Sequence, residues 1–296
     1  MEDKRELFKQ PLHSIYIPCG LIIAGTLLFG LEYLPYSLTF IVGVCSFKYY
    51  EAYQRRSLIH KTQWRDLELI DKTLINRNTL IFRFKLNRED EVLDIPTGHH
   101  VACCFTINGK DEIRFYSPIL NQFDAGFFDI LVKHYENGVV SRKLAELREG
   151  QTVKFRGPFG TLDYVPNMAK KLALVAGGSG ITPILQVITD IITNPEDNTS
   201  ISLIFANESE KDILLKSEID EIAKKYPDFE VNYTVTNAPE NWTGSTGYVT
   251  KEMMQKYLPE ASPENRMFIC GPPGLKSLAV GLSEELGWEK DNVFCF

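Results

Sequence analysis

The hydrophobic pattern of the chain begins with two uncharged apolar runs near the N-terminus. The runs cover residues 15–31 and 33–47, and Glu32 lies between them. Each run is close to the roughly 17 residues of the shortest membrane-spanning helices. Because Pro35 and the charge of Glu32 fit a turn better than a helix in lipid, the pattern predicts an N-terminal transmembrane anchor, a helical hairpin that contacts the lipid bilayer through residues 15–47.

Basic residues flank both ends of this predicted anchor. Lys4, Arg5 and Lys9 precede the first run, and further Lys and Arg residues between positions 48 and 65 follow the second. Since cytosolic flanks of membrane spans are enriched in Lys and Arg, we expect both flanks to be cytosolic. A single long tilted helix is the alternative, and a cleaved signal peptide is disfavoured because no small-residue cleavage site is apparent.

Beyond a linker at residues 48–62, the pattern changes to short β-rich runs divided by turns. The runs cover residues 80–86, 100–107, 113–116, 127–135 and 152–155, and a helical run covers 139–147. Short strands at this spacing predict an antiparallel β-barrel domain over residues 63–166.

Strands and helices alternate over residues 167–296. The strand-like runs are 172–176, 201–206, 229–235 and 267–270, and the helical runs are 183–193, 211–226, 251–257 and 275–286. This alternation predicts an α/β doubly wound domain with a parallel sheet. With residues 1–14 as a cytosolic tail, the predicted order is tail, anchor, linker, barrel and α/β domain.

Charge and cysteine usage narrow the function classes. The net charge of -7 argues against nucleic acid as a partner, because phosphate neutralisation needs concentrated Lys and Arg. The six cysteines include no C-x-x-C pair, which favours a reducing compartment. His99 and His100 have no Cys or carboxylate at ligand spacing nearby, so we predict a structural role for them and no metal site.

A glycine-rich turn follows the run at 172–176. Its residues are Gly177, Gly178, Ser179 and Gly180, followed by Ile181, Thr182 and Pro183. Glycines let the backbone approach a phosphate, and Thr182 as N-cap with Pro183 after it would direct free N–H groups at an anion. The turn predicts a pyrophosphate site, with a plain strand-to-helix turn as the alternative. It is not the G-x-G-x-x-G fingerprint, because Pro183 stands at the third glycine position.

A second element lies at the end of a predicted barrel strand. Its residues are Arg114, Phe115, Tyr116, Ser117 and Pro118. An Arg there can bind a phosphate through two hydrogen bonds, a Tyr can lie against an aromatic cofactor, and a Ser hydroxyl can serve a polar ring atom. Taken alone, the segment also fits a solvated Arg beside a core Tyr.

These segments jointly resemble the NADH–cytochrome b5 reductase family, within the ferredoxin–NADP reductase superfamily, and the whole chain is similar to its fungal membrane-anchored members. The matching motifs, in order, are residues 114–118, Gly157-Pro158-Phe159-Gly160, residues 177–183 and Cys270-Gly271-Pro272-Pro273. The resemblance covers residues 64–296. It implies FAD bound by the barrel domain, and NADH, with NADPH as a second candidate, bound by the α/β domain.

The resemblance implies roles for residues of the barrel domain. Arg114 would bind the FAD pyrophosphate, Phe115 and Tyr116 would line the flavin, and Ser117 would hydrogen-bond flavin N5. The following strand would supply Leu131, Lys133 near the nicotinamide, and Tyr135 against the flavin chain. The helix start Gly138, Val139, Val140 and Ser141 would hold the FAD phosphate. The family often has Lys-Met at the Val139-Val140 position, so a weaker contact is expected there.

In the second domain, the resemblance implies that Thr182 touches the flavin and that residues 177–180 hold the nucleotide pyrophosphate. Cys270, Gly271 and Pro272 would pack near the nicotinamide, with the thiol shaping hydride geometry and not acting as a nucleophile. Ser117, Lys133 and Cys270 are therefore the expected catalytic residues. NADH-specific members have Asp at the position of Thr236, so weakened discrimination against NADPH is expected here.

The implied activity is transfer of a hydride from NADH to FAD and of single electrons onward to a membrane-associated acceptor. A cytochrome b5-type haem protein is the expected partner, and a membrane quinone is the alternative. A degenerate, non-catalytic membrane scaffold is the competing class. The sequence lacks an Arg-rich presequence, which favours the endoplasmic reticulum, ahead of the mitochondrial outer membrane or the plasma membrane, for an integral membrane protein with a cytosolic catalytic domain.

Overall fold

A computed structural model describes residues 16–54, 59–119, 124–135 and 137–296. The predicted tail at residues 1–14 lies outside the described residues. The chain divides into two compact units, Met1–Ser57 and Leu58–Phe296.

The first unit contains two helices, α1 (Tyr16–Phe29) and α2 (Leu34–Gln54). A short 3-10 turn, Leu31–Tyr33, separates them and carries Glu32. The Thr26 and Ser37 hydroxyl oxygens are 2.5 Å apart and join the two helices. Glu32 therefore lies in a turn as predicted, whereas Pro35 is the second residue of α2, where it removes no helical hydrogen bond.

The predicted transmembrane anchor at residues 15–47 is wrong. No helix in the described part of the chain is both long enough and apolar enough to cross a membrane. Helix α1 has 14 residues, which at 1.5 Å per residue is about 21 Å against the roughly 30 Å of a hydrocarbon core. Helix α2 has 21 residues, but its last third includes Lys48 and Glu51. The two runs are uncharged, but neither one forms an apolar helix of the length that the prediction required.

The barrel domain contains a sheet of seven antiparallel strands among the described residues. The strands are β1 (Arg65–Asn76), β2 (Thr79–Lys85), β3 (His100–Ile107), β4 (Lys110–Tyr116), β5 (Pro118–Ile119), β6 (Phe127–Lys133) and β7 (Thr152–Phe159), in the order β4-β3-β7-β1-β2-β6-β5. Helix α3 (Val139–Glu146) lies between β6 and β7. Strand β1 pairs with β7 through its first residues and with β2 through its last, so this one strand turns the corner of the barrel.

Aromatic packing fills the barrel. Phe84 contacts Phe128 and Phe155 at ring-centroid distances of 5.7 and 4.7 Å, and all three side chains are buried. Such a core is rigid, because large rings packed in this way leave little room for rearrangement. It supports the strand ends that carry the candidate site.

The α/β domain is built on a parallel sheet of six strands within residues 137–296. The strands are β8 (Lys171–Gly177), β9 (Ser200–Asn207), β10 (Phe229–Val235), β11 (Ser245–Thr246), β12 (Asn265–Cys270) and β13 (Val293–Cys295), in the order β11-β10-β9-β8-β12-β13. The helices are α4 (Ile181–Thr193), α5 (Lys216–Lys225), α6 (Lys251–Tyr257) and α7 (Pro273–Glu285). The chain leaves β8 toward one edge of the sheet and later returns to its other side with β12. This is a topological switch point, where α/β sheets bind ligands beyond the carboxyl ends of the strands.

Candidate functional site

A cleft of about 880 Å³ lies between the barrel and the α/β domain. From the barrel it is lined by Arg114, Phe115, Tyr116, Ser117, Leu131, Lys133, Tyr135, Gly138, Val139, Val140 and Ser141, and from the α/β domain by Gly177, Gly178, Ser179, Gly180, Thr182, Cys270, Gly271 and Pro272. The structure thus brings together every sequence-predicted site residue except Thr236.

The nucleotide side of the cleft is formed where the loops after β8 and β12 meet. A Cβ atom on Gly180 would lie 2.6 Å from the Cys270 carbonyl oxygen and 2.7 Å from the Gly271 nitrogen. A Cβ atom on Gly177 would meet a methyl group of Leu275. Close packing on the backbone after β12 therefore requires glycine at position 180, whereas at Gly177 the Leu275 side chain would have to move.

Helix α4 begins at Ile181, with Gly180 as its N-cap. Thr182 consequently lies inside the helix, and the expectation that it is the N-cap is wrong. Its buried hydroxyl donates a hydrogen bond of 3.1 Å to the Ser179 carbonyl oxygen. The N-terminal end of α4 still lies at the cleft, because residues 177–180, Thr182 and Pro183 line it, and helix N-termini favour anions.

The barrel side of the cleft carries a cation and aromatic rings. The Arg114 side chain is 55% exposed, and its closest acidic partner in the described structure, Glu112, is 3.9 Å away. Phe115 meets the His100 ring edge-on at 5.0 Å. Burial raises the pKa of the Tyr116 hydroxyl, with a further contribution from Cys103, so this group stays neutral. The wall thus offers a guanidinium for an anion and rings for an aromatic cofactor.

The start of helix α3 forms a narrow cradle at the barrel side. Gly138 is the N-cap, and a Cβ atom there would overlap the Ser141 hydroxyl and approach the Tyr135 carbonyl oxygen to 3.0 Å. Ser141 is buried and accepts a hydrogen bond from the Tyr135 backbone at 3.5 Å. A helix N-terminus beside Arg114 is a donor set that suits phosphate, so these residues fit the predicted FAD pyrophosphate.

Cys270 ends strand β12 at the floor of the cleft. Burial raises the pKa of its thiol to about 12, which nearby Lys276 offsets only in part. A thiol with a pKa raised in this way stays protonated at physiological pH. Its expected role in shaping hydride geometry stays a prediction.

Sequence reasoning missed several residues that line the cleft. They include Gly98, His100, Asn137, Thr161, Phe294 and Phe296. His100, for which we predicted a structural role, lines the cleft, and burial together with His99 lowers its pKa. Its position at the first residue of strand β3, two residues after Gly98, was the available signal. In the described part of the chain, no group of three or more His, Cys, Asp or Glu side chains is placed to hold a metal.

Thr236 lies outside the cleft lining, directly after strand β10. Its hydroxyl donates to the Glu208 carbonyl oxygen at 3.1 Å, which ties the ends of β9 and β10 together. Both strands end at the same edge of the sheet as β8 and β12, because the sheet is parallel. This edge of the sheet therefore runs from the cleft to Thr236, and a contact of Thr236 with the nucleotide stays a prediction.

Comparisons with known proteins agree with this arrangement. Residues 66–164 match the oxidoreductase FAD-binding domain, and residues 174–280 match the oxidoreductase NAD-binding domain. The chain is 47% identical to the Saccharomyces cerevisiae plasma membrane-associated coenzyme Q6 reductase PGA3, over 98% of this chain and 97% of that protein. It is 41% identical to NADH-cytochrome b5 reductase 1 of Ajellomyces capsulatus, over 97% of each chain.

A solved structure shows the same fold. The cytochrome b5 reductase domain of Ulva prolifera nitrate reductase superposes with a TM-score of 0.77 at 30% identity, covering 81% of this chain and 100% of that domain. Two observations determine the assignment. The chain is extensively identical to named reductases, and its two matched domains enclose one cleft. The chain belongs to the NADH–cytochrome b5 reductase family and is an NAD(P)H-dependent oxidoreductase that uses FAD and NADH.

Proposed function

We propose that this enzyme passes electrons one at a time from its FAD to a cytochrome b5-type haem protein. The observation that carries the proposal is the single cleft in which the Arg114 to Ser117 segment faces the Gly177 to Gly180 loop and Cys270. Such a cleft can hold a flavin against one wall and a nicotinamide against the other. Bound FAD supplies the hydride-accepting and single-electron chemistry, and the protein supplies binding and orientation.

On the barrel side, Arg114 and the start of α3 hold the FAD pyrophosphate. The exposed guanidinium of Arg114 and the helix N-terminus at Gly138 both attract an anion, and buried Ser141 fixes the turn between them. Tyr116 stays a neutral hydroxyl that lies along the flavin. Ser117 offers its hydroxyl to the polar edge of the ring.

On the α/β side, the Gly177 to Gly180 loop holds the pyrophosphate of NADH. The tight contact of Gly180 with Cys270 brings the nicotinamide wall close to the phosphate loop. Lys133, which ends strand β6 and lines the same cleft, is placed to meet the nucleotide from the barrel side. The neutral Cys270 thiol shapes this wall without taking part in proton transfer.

A quinone is the second candidate acceptor. The observation that favours it is the 47% identity to a protein named as a coenzyme Q6 reductase. Both acceptors need the same flavin, so the cleft residues do not distinguish them. The name of that relative also favours the plasma membrane as the site of action, whereas a location at the endoplasmic reticulum stays a prediction that cell fractionation would test.

One experiment tests the function and separates the acceptors. The purified full chain is expected to show flavin absorbance, to be bleached anaerobically by NADH, and to be reoxidised by oxidised cytochrome b5. A short-chain quinone is added in a parallel reaction. Faster reoxidation by the quinone would identify the quinone as the preferred acceptor. A colourless protein that binds no added FAD would contradict the enzymatic function and favour the non-catalytic scaffold.

A further inference from the structure

One buried side chain joins the two walls of the cleft. Gln186, on helix α4, is 4% exposed. Its amide nitrogen donates to the Pro118 carbonyl oxygen at 2.8 Å, and its carbonyl oxygen accepts from the Gly98 backbone nitrogen at 3.0 Å. A single carboxamide of the α/β domain therefore holds two separate segments of the barrel.

Each segment that Gln186 holds belongs to the candidate site. Pro118 directly follows Ser117, and both Ser117 and Gly98 line the cleft. On α4, Gln186 is four residues after Thr182, so the two side chains lie on the same face of the helix. The carboxamide thus connects the helix that follows the Gly177 to Gly180 loop directly to the Ser117 side of the cleft.

We propose that Gln186 is a positioning residue that sets the separation of the nicotinamide and the flavin for hydride transfer. This inference rests on the proposed assignment of the two cleft walls. Both partners are backbone atoms, so the hydrogen bonds fix the main chain and not merely a side-chain rotamer. Transfer between two held groups is sensitive to distance, and a displacement of about 1 Å can cost on the order of 100-fold in rate.

A second contact between the same domains provides a matched control. The Thr97 hydroxyl donates to the Asp190 carboxylate at 2.9 Å. Asp190 is four residues beyond Gln186 on α4, one turn farther from Thr182 and the cleft. The Thr97 to Asp190 bond therefore joins α4 to the same barrel segment as the Gly98 bond, through the preceding residue, but makes no connection to the Ser117 segment.

The test compares Gln186→Met, which keeps the length of the side chain but neither hydrogen bond, with Thr97→Val. Anaerobic flavin bleaching by NADH is followed by stopped flow, together with FAD content, NAD⁺ affinity and the melting temperature. We expect Gln186→Met to slow bleaching by roughly 10-fold to 100-fold, with FAD content and NAD⁺ affinity retained. Thr97→Val, which loses one partly buried bond, should lower the melting temperature less than Gln186→Met and leave bleaching within about twofold. Equal rates in the two variants would overturn the proposal.

Hydrogen exchange of the Gly98 backbone amide tests the bridge without any nucleotide. In Gln186→Met this amide loses its acceptor, so its hydrogen exchange should accelerate, whereas in Thr97→Val it should not. Unchanged exchange in Gln186→Met would contradict the bridging role even if the wild type proved inactive. Failure of NADH to bleach the wild type would instead contradict the proposed function, and the exchange result would still decide the bridge.

Gln186→Glu keeps the shape of the side chain and provides a second test if Gln186→Met does not fold. As a carboxylate it repels the Pro118 carbonyl oxygen, but a protonated carboxyl group can donate to Pro118 and accept from Gly98 as the amide does. We expect its bleaching rate, relative to wild type, to recover as the pH falls from about 8 to about 5.5. A pH-independent ratio would contradict positioning by these two bonds.

Discussion

Gly138 and Ser141 are packed so closely that a Cβ atom on Gly138 would overlap the Ser141 hydroxyl oxygen. The same atom would lie 3.0 Å from the Tyr135 carbonyl oxygen, so neither side chain nor backbone leaves space for it. Because Gly138 is the N-cap of α3, an added Cβ atom must displace the Ser141 hydroxyl and press on the Tyr135 backbone at the helix start. The glycine therefore links local packing to the proposed phosphate site.

We expect Gly138→Ala to purify with little FAD, because Ser141 and the first N–H groups of α3 must move. The flavin-to-protein absorbance ratio measures this, and titration with added FAD should show at least a tenfold weaker affinity, or about 1.4 kcal/mol. The control is Gly281→Ala, which meets nothing within 4 Å inside helix α7. Wild-type FAD content in Gly138→Ala would show that this cradle does not hold the phosphate.

A second glycine variant tests the nucleotide side. Gly180→Ala places a Cβ atom 2.6 Å from the Cys270 carbonyl oxygen, and a backbone group at that distance cannot move cheaply. We expect FAD to stay bound while KM for NADH rises at least tenfold and the melting temperature falls by several degrees. An unchanged KM in a folded, yellow variant would separate this loop from the nucleotide.

Arg114 is the third residue whose replacement has a defined outcome. Its half-exposed guanidinium lies 3.9 Å from Glu112 and donates to the exposed Ile113 carbonyl oxygen at 2.7 Å. Exposed contacts of this kind contribute little, so Arg114→Ala should change the stability of the FAD-free protein by less than about 1 kcal/mol. We expect FAD affinity to fall by about 1.5–3 kcal/mol, the range for a hydrogen bond to a charged group. Arg114→Lys should recover only part of it, since an ammonium cannot form the paired bonds of a guanidinium. Equal FAD affinity in wild type and Arg114→Ala would exclude the contact.

Much of the fold was predictable from the sequence because hydrophobic periodicity follows burial. Strands β3 and β10 begin and end at the predicted residues, and so does helix α6. Strand β1 was missed, because charged residues alternate with the buried Leu67 and Leu69 and most of its length is exposed. The domain boundary predicted at residues 166 and 167 stays a prediction.

The predicted helix at residues 211–226 illustrates why the rest was not predictable. The structure has a 3-10 turn at Glu210–Asp212 and starts α5 at Lys216. The Ser209 hydroxyl donates to the buried Asp212 carboxylate at 2.6 Å, and Leu215 adopts a left-handed conformation with φ 52°. Side-chain hydrogen bonds to nearby groups compete with helix formation, and periodicity does not register them. In the candidate site, the sequence motifs identified the loops that line the cleft. The positions of His100 and Gln186 could not be predicted in this way, because they depend on how the two domains pack together.

The pKa of Cys270 leads to a prediction about pH and stability. Burial raises it to about 12 from an ordinary value of 9.0. The folded protein therefore keeps the proton where the unfolded chain releases it, so the contribution to stability is complete below about pH 9 and is lost as the pH rises toward 12. We expect the melting temperature of wild type to fall more steeply than that of Cys270→Ala between about pH 8.5 and pH 10.5. Parallel curves would contradict the shift.

The last prediction concerns the choice between NADH and NADPH. The Thr236 hydroxyl is engaged with the Glu208 carbonyl oxygen, and the residue carries no charge to repel the 2′-phosphate of NADPH. We propose that the enzyme prefers NADH with weak discrimination and expect Thr236→Asp to increase the ratio of kcat/KM for NADH over NADPH by roughly 10-fold to 100-fold, or about 1.4–2.8 kcal/mol. Steady-state kinetics with both nucleotides measure the ratio.

Thr236→Asn is the matched control, because it has the shape of Asp without the charge. Both variants lose the hydroxyl that bonds Glu208, so any effect of that loss on the ends of β9 and β10 is common to them. Repulsion of a phosphate requires charge and weakens with salt, so only Thr236→Asp should gain selectivity, and the gain should shrink at high ionic strength. If the wild type already rejects NADPH by about a thousandfold or more, roughly 4 kcal/mol, another residue determines the choice.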